Sequence, residues 1–137
     1  VLLKNYWKIS PQLITGAEDY ADSDDYYTAF VQIGDRTFGK KGKYPYVYDL
    51  AEEWKNFTGL PFMFAGWIAN KPIPQGFIDR FNQALKYGLD HRAELFEELP
   101  MRDDFDIQDY LMHKIDFPLT DAKKQAFHLF LDYIRNL

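Results

Sequence analysis

The stretch richest in chemical possibility is Gly34-Asp35-Arg36-Thr37-Phe38-Gly39-Lys40-Lys41. It follows an apolar run and fits the first seven positions of a phosphate-binding loop, whose amides cradle phosphate while a lysine reaches the terminal groups. The eighth position of such a loop carries a hydroxyl to ligate magnesium, and here it is Lys41. The next residues, Gly42-Lys43-Tyr44-Pro45, make a poor helix start, although that loop needs a helix N-terminus behind its glycines. Nucleotide hydrolysis is therefore disfavoured. A geometric reading survives. Gly34 lets a ligand approach the backbone closely, and the amides of Asp35, Arg36 and Thr37 begin a helical turn that faces an anion. Ligands of open α/β sheets gather at the carboxyl ends of strands, where Gly34 would stand. The plain alternative is that Asp35 only caps the turn.

Other chemistries find less support. Asp49, ahead of Leu50-Ala51-Glu52, suits a helix cap better than a ligand contact. The histidines, His91, His113 and His128, show no metal-ligand spacing with one another or with a carboxylate, and read as surface or helix-packing residues. Asp22, Asp24 and Asp25 lack the glycine and terminal glutamate of a calcium loop and read as a solvated turn. The serines, Ser10 and Ser23, sit in turn-like surroundings rather than at a nucleophile elbow. No cysteine is present, which excludes disulfides and thiolate chemistry.

These residues must be positioned by an alternation of strands and helices. Residues 1–9 read as an amphipathic helix with Leu2, Leu3, Tyr6 and Ile9 on one face. It has no capping residue in front of it, so the chain is expected to be a fragment that starts inside a helix. Strands are expected at Gln12-Leu13-Ile14-Thr15, at Thr28 to Ile33 and at Tyr46-Val47-Tyr48. Asp49 with Glu52 then opens a helix that passes Trp54 and Phe57 and stops at Gly59. The apolar run from Leu60 to Ala69 reads as a strand shielded on both faces. Helices follow from about Gln75, with a break expected at Gly88 and a second piece from Asp90 through Phe96. Another starts at Asp103 or Asp104 and ends at Pro118. The last is capped by Thr120 or Asp121, with Ala126, Phe127, Phe130, Ile134 and Leu137 as its apolar stripe.

Composition agrees with a folded α/β chain. Of 137 residues, 47% are hydrophobic and 18% aromatic, enough to build a core. The net charge of -5 and the absence of a basic face argue against nucleic acid as a partner. No run approaches the roughly 20 apolar residues of a membrane span, and no signal-peptide pattern opens the chain. A cytoplasmic location is the expectation.

The most specific segment is Tyr48-Asp49-Leu50-Ala51-Glu52-Glu53-Trp54-Lys55-Asn56-Phe57-Thr58-Gly59-Leu60-Pro61-Phe62-Met63-Phe64-Ala65-Gly66-Trp67. It resembles the signature of the menaquinone-biosynthesis (futalosine pathway) chorismate dehydratase family, D-L-G-x-x-W-x-x-x-T-G-L-P-F-x-F-A-x-W. Ile33-Gly34-Asp35 resembles the same family's I-G-D, and the segments Ala84 to Leu89, Tyr110-Leu111 and Ile115 to Leu119 resemble its C-terminal helices. Ala51 replaces a family glycine and Gly66 a common valine.

The resemblance implies a fold like the type 2 periplasmic solute-binding proteins, with two α/β lobes around a cleft. Residues 1–69 would form one α/β lobe, and residues 70–137 the C-terminal helices returning to the first lobe. The front half of the family, which is roughly twice this length, would supply the rest of that lobe. The implied reaction is a hydro-lyase step that removes water from chorismate to give 3-[(1-carboxyvinyl)oxy]benzoate. It needs no metal or organic cofactor. The implied partner is a small dicarboxylate, with Gly34, Asp35, Arg36 and Thr37 facing it, the base in the front half, and a homodimer left open. Two alternatives stand beside this reading. One is a non-catalytic solute-binding protein for an anionic metabolite. The other is the related dihydroxynaphthoate synthase, whose family shares the Thr58-Gly59-Leu60-Pro61 turn.

Overall fold

A computed structural model describes residues 1–14, 29–40, 42–99, 103 and 105–137. The expected acidic turn at Asp19 to Asp25, and with it Ser23, lies outside them. The chain packs as two units, one of Val1–Phe62 with Asp121–Leu137, the other of Met63–Thr120.

The first unit is organised by α2, Leu50–Thr58. Its start obeys local chemistry: the Asp49 carboxylate accepts hydrogen bonds from Ala51 N at 2.9 Å and Glu52 N at 3.3 Å. Two amides that would otherwise lack partners are satisfied. Glu52 and Glu53 add negative charge to the first turn, where the helix dipole favours it. Its end is as well defined. Gly59 takes the left-handed conformation, φ 73°, and its amide bonds back to Lys55 O at 2.8 Å. The Thr58 hydroxyl donates to Trp54 O at 2.8 Å and accepts from Leu60 N at 3.2 Å. Pro61 follows, and cannot continue the helix.

The buried face of α2 carries Trp54, which is 1% exposed. Around it stand Phe57, Phe62, Phe130 and Tyr133, with ring centroids 5.6–6.4 Å away and mostly edge to face. Such pairs contribute about 0.5–1.5 kcal/mol each beyond the area they bury. Phe130 and Tyr133 come from α5, Asp121–Arg135, together with Ala126, which is 2% exposed, and the buried Lys123. The packed stripe of α5 is thus Lys123, Ala126, Phe130 and Tyr133. The sequence had put Ile134 and Leu137 on it, and both are exposed. The phase of the helix is set by docking on Trp54, which rotates Tyr133 inward.

Helix α1 is short, Leu2–Asn5, and does not reach Ile9 as expected. Lys8 enters the left-handed region at φ 57°, and the amides of Trp7 and Ile9 bond to Leu2 O and Leu3 O instead of extending the helix. Ile9 is left exposed. Tyr6 and Trp7 still pack, on Phe57 at 5.2 Å and on Tyr48 at 5.7 Å. Lys4 Nζ donates to Leu137 O at 2.8 Å, tying α1 to the end of α5.

The second unit holds α3, Gln75–Asp90, which runs through Gly88 without a break. The Lys86–Asp90 ion pair at 2.6 Å spans that glycine. The interruption comes at His91, followed by a 3-10 turn, Arg92–Leu95. On α3, Phe77 stacks on Phe81, and Trp67 meets Phe81 edge to face at 5.5 Å. The next helix starts later than expected. Asp106, rather than Asp103, caps α4, Ile107–Asp109, by accepting from Asp109 N at 2.9 Å, and Asp104 lies outside the described residues. The chain then widens into a π-turn, Tyr110–Lys114, and Ile115 is already extended, ahead of Pro118. Arg92 Nε donates to Met112 Sδ at 3.2 Å across this turn.

The described parts of the segments expected as strands, residues 12–14, 29–33, 46–48 and 60–69, carry no regular structure, and no strand occurs among the described residues. A helix satisfies its own backbone, whereas a strand exists only through a neighbour that pairs with it. The same segments hold exposed apolar side chains: Leu13, Val31, Ile33, Tyr46, Phe64 and Trp67 are each at least 72% exposed. The α/β, type 2 periplasmic-binding-protein-like reading therefore rests on the resemblance and not on paired strands.

Candidate functional site

Gly34, Asp35, Arg36 and Thr37 fall together in one 3-10 turn, Gly34–Thr37. The expectation that their amides open a helical turn matches this geometry. The turn is possible because Gly34 has φ 68°, a conformation that L side chains rarely adopt. A Cβ at Gly34 would meet nothing within 4 Å, so any cost of substitution there is conformational rather than steric. Gly34, Arg36 and Thr37 are exposed.

The Thr37 hydroxyl donates to Gly34 O at 2.8 Å, which closes the turn on itself. Its proton is therefore committed to the turn. Lys40 N bonds to Thr37 O at 3.3 Å and Lys43 N to Lys40 O at 3.0 Å, winding the basic residues into successive turns. Arg36, Lys40 and Lys43 thus follow one another along a segment rich in positive charge. Gly39 at φ 67° and Gly42 at φ 91° supply the bends. Among the described residues after Lys40, the next helix begins at Leu50. A phosphate-binding loop requires a helix directly behind its lysine, and Lys41, which would begin it, lies outside the described residues.

Asp49 acts as the α2 cap through both of its contacts, which is the structural role read from the sequence. The block from Asp49 to Trp67 is a folding device at its front end. Its cap, its buried tryptophan and its Thr58-Gly59 stop each fix backbone or core. Sequence reading placed Trp54 on the helix but did not identify Tyr133 as its neighbour. The signal was present as the ten-residue spacing from Lys123 through Ala126 and Phe130 to Tyr133, which parts from the stripe first read at Tyr133, one residue before Ile134.

The histidines are accounted for locally. His91 Nδ1 lies 2.8 Å from Tyr87 O, with the two rings stacked at 3.9 Å. His113 Nδ1 lies 3.1 Å from Asp109 Oδ1, and Lys114 reaches the other carboxylate oxygen at 3.5 Å. His128 is exposed beside Phe127. Among the described residues no group of three or more His, Cys, Asp or Glu could hold a metal ion. Among them, too, no helix is long and apolar enough to cross a membrane.

Comparison with known proteins adds one finding. A family model described as "Menaquinone biosynthesis" matches residues 1–136. No curated protein and no solved structure matches the chain.

Proposed function

The chain belongs to this menaquinone-biosynthesis family, and on that premise we propose that it is part of a chorismate dehydratase. The reaction is the elimination of water from chorismate to give 3-[(1-carboxyvinyl)oxy]benzoate. The observation that carries this reading is the block from Asp49 to Trp67, whose tryptophan and Thr58-Gly59-Leu60-Pro61 stop follow the dehydratase signature position by position. The related dihydroxynaphthoate synthase shares the stop, but Phe62-Met63-Phe64-Ala65-Gly66-Trp67 suits the dehydratase pattern better.

The step balances without a cofactor. A base takes a ring proton, and the electron pair of that C–H bond becomes a new C=C bond. The C–O bond of the ring hydroxyl breaks, and the hydroxide leaves with a proton as water. The ring becomes aromatic, so the step runs strongly downhill. The protein has to hold a dicarboxylate and place the base.

In this proposal the Gly34–Thr37 turn supplies part of the anchoring, through the amides of Asp35 and Arg36 and the Arg36 guanidinium, with Thr37 holding the turn closed. An arginine is suited to a carboxylate because its planar fork presents paired donors. Residues 1–69 would form one α/β lobe of a periplasmic-binding-protein-like cleft, and residues 70–137 the helices that return to the other. The base is assigned to the front lobe, and the enzyme to the cytoplasm. The test is direct: a protein carrying this chain together with its front lobe is incubated with chorismate, and the products are identified by mass spectrometry. Formation of the enolpyruvyl benzoate supports the dehydratase. Chorismate bound but recovered unchanged supports a solute-binding protein instead.

A further inference from the structure

We draw no further inference here: the strongest candidate, the exposed apolar side chains of Leu13, Val31, Ile33, Tyr46 and Tyr48 on the extended segments of the first unit, carries nothing, because nothing in the structure shows what covers them.

Discussion

Trp54 and Phe130 meet edge to face, with ring centroids 5.6 Å apart and planes at 81°. One ring comes from α2 and the other from α5, so this contact joins segments more than seventy residues apart in the chain. Trp54 is the large side chain fully buried among the described residues. Its indole N–H has no hydrogen-bond partner among them, so the ring contributes by packing alone.

Trp54→Ala is expected to destabilise the chain by about 3–5 kcal/mol, the range for deleting a buried large ring. Trp54→Phe keeps an aromatic ring and forfeits no hydrogen bond, so its cost is expected to be smaller than that of Trp54→Ala, the remainder being the cavity left by the smaller ring. Urea unfolding followed by far-UV circular dichroism measures both. Equal losses for the two variants would mean that the N–H, not the ring, matters.

Two glycines should respond to alanine with opposite signs. Gly59→Ala forces a side chain into φ 73° with nothing within 4 Å of the new Cβ, so the cost is backbone strain of about 1–2 kcal/mol. Gly88 lies inside α3, and a Cβ there also meets open space. Gly88→Ala is expected to stabilise the chain by about 0.5–1 kcal/mol through the lower entropy of the unfolded chain. Shifts in the same direction on thermal unfolding would contradict the assigned conformations.

Asp49→Ala removes the acceptor for Ala51 N and Glu52 N and is expected to cost about 1 kcal/mol. Asp49→Asn retains an oxygen acceptor and should fall within a few tenths of the parent. Denaturant midpoints with an unchanged slope would report the difference. A strong loss in Asp49→Asn as well would point to a role beyond the cap.

These sites show what was legible in the sequence. Both ends of α2 were readable because caps act over three or four residues: Asp49 and Gly59 carry their own instructions. The start of α4 was harder, since an aspartate three residues before the amide it caps is one of several nearby, and the structure uses Asp106, in register with Asp109 N. Gly88 misled because its propensity cost of about 1 kcal/mol is small beside sixteen residues of helix. The choice of Tyr133 over Ile134 was settled by where α5 meets Trp54, a contact distant in sequence. Strand pairing is equally non-local, and an apolar run such as residues 60–69 does not name its neighbour. At the candidate site, the glycine at the turn and the basic residues after it were legible. The commitment of the Thr37 hydroxyl to Gly34 O was not, because it depends on the turn having closed.

Arg36→Ala is expected to raise KM for chorismate about tenfold or more in the enzyme that carries its front lobe, as a charge-assisted hydrogen bond contributes about 1.5–3 kcal/mol. Melting temperature should stay within about a degree or two, since Arg36 lies on an exposed turn. Arg36→Lys should restore part of the affinity but not the paired-donor geometry. An unchanged KM with normal stability would remove the Gly34–Thr37 turn from the substrate site.

The central claim is that this chain serves the dehydration of chorismate, and one measurement bears on it most directly. Chorismate is supplied to the protein that contains these residues and its front lobe, and the loss of one water per substrate is followed by mass spectrometry. On the proposed two-lobed fold, the account predicts 3-[(1-carboxyvinyl)oxy]benzoate from that protein and none from the 137 residues alone, since a single lobe would not enclose and orient the substrate. Chorismate left intact by that protein, or turnover by the isolated chain, would contradict it.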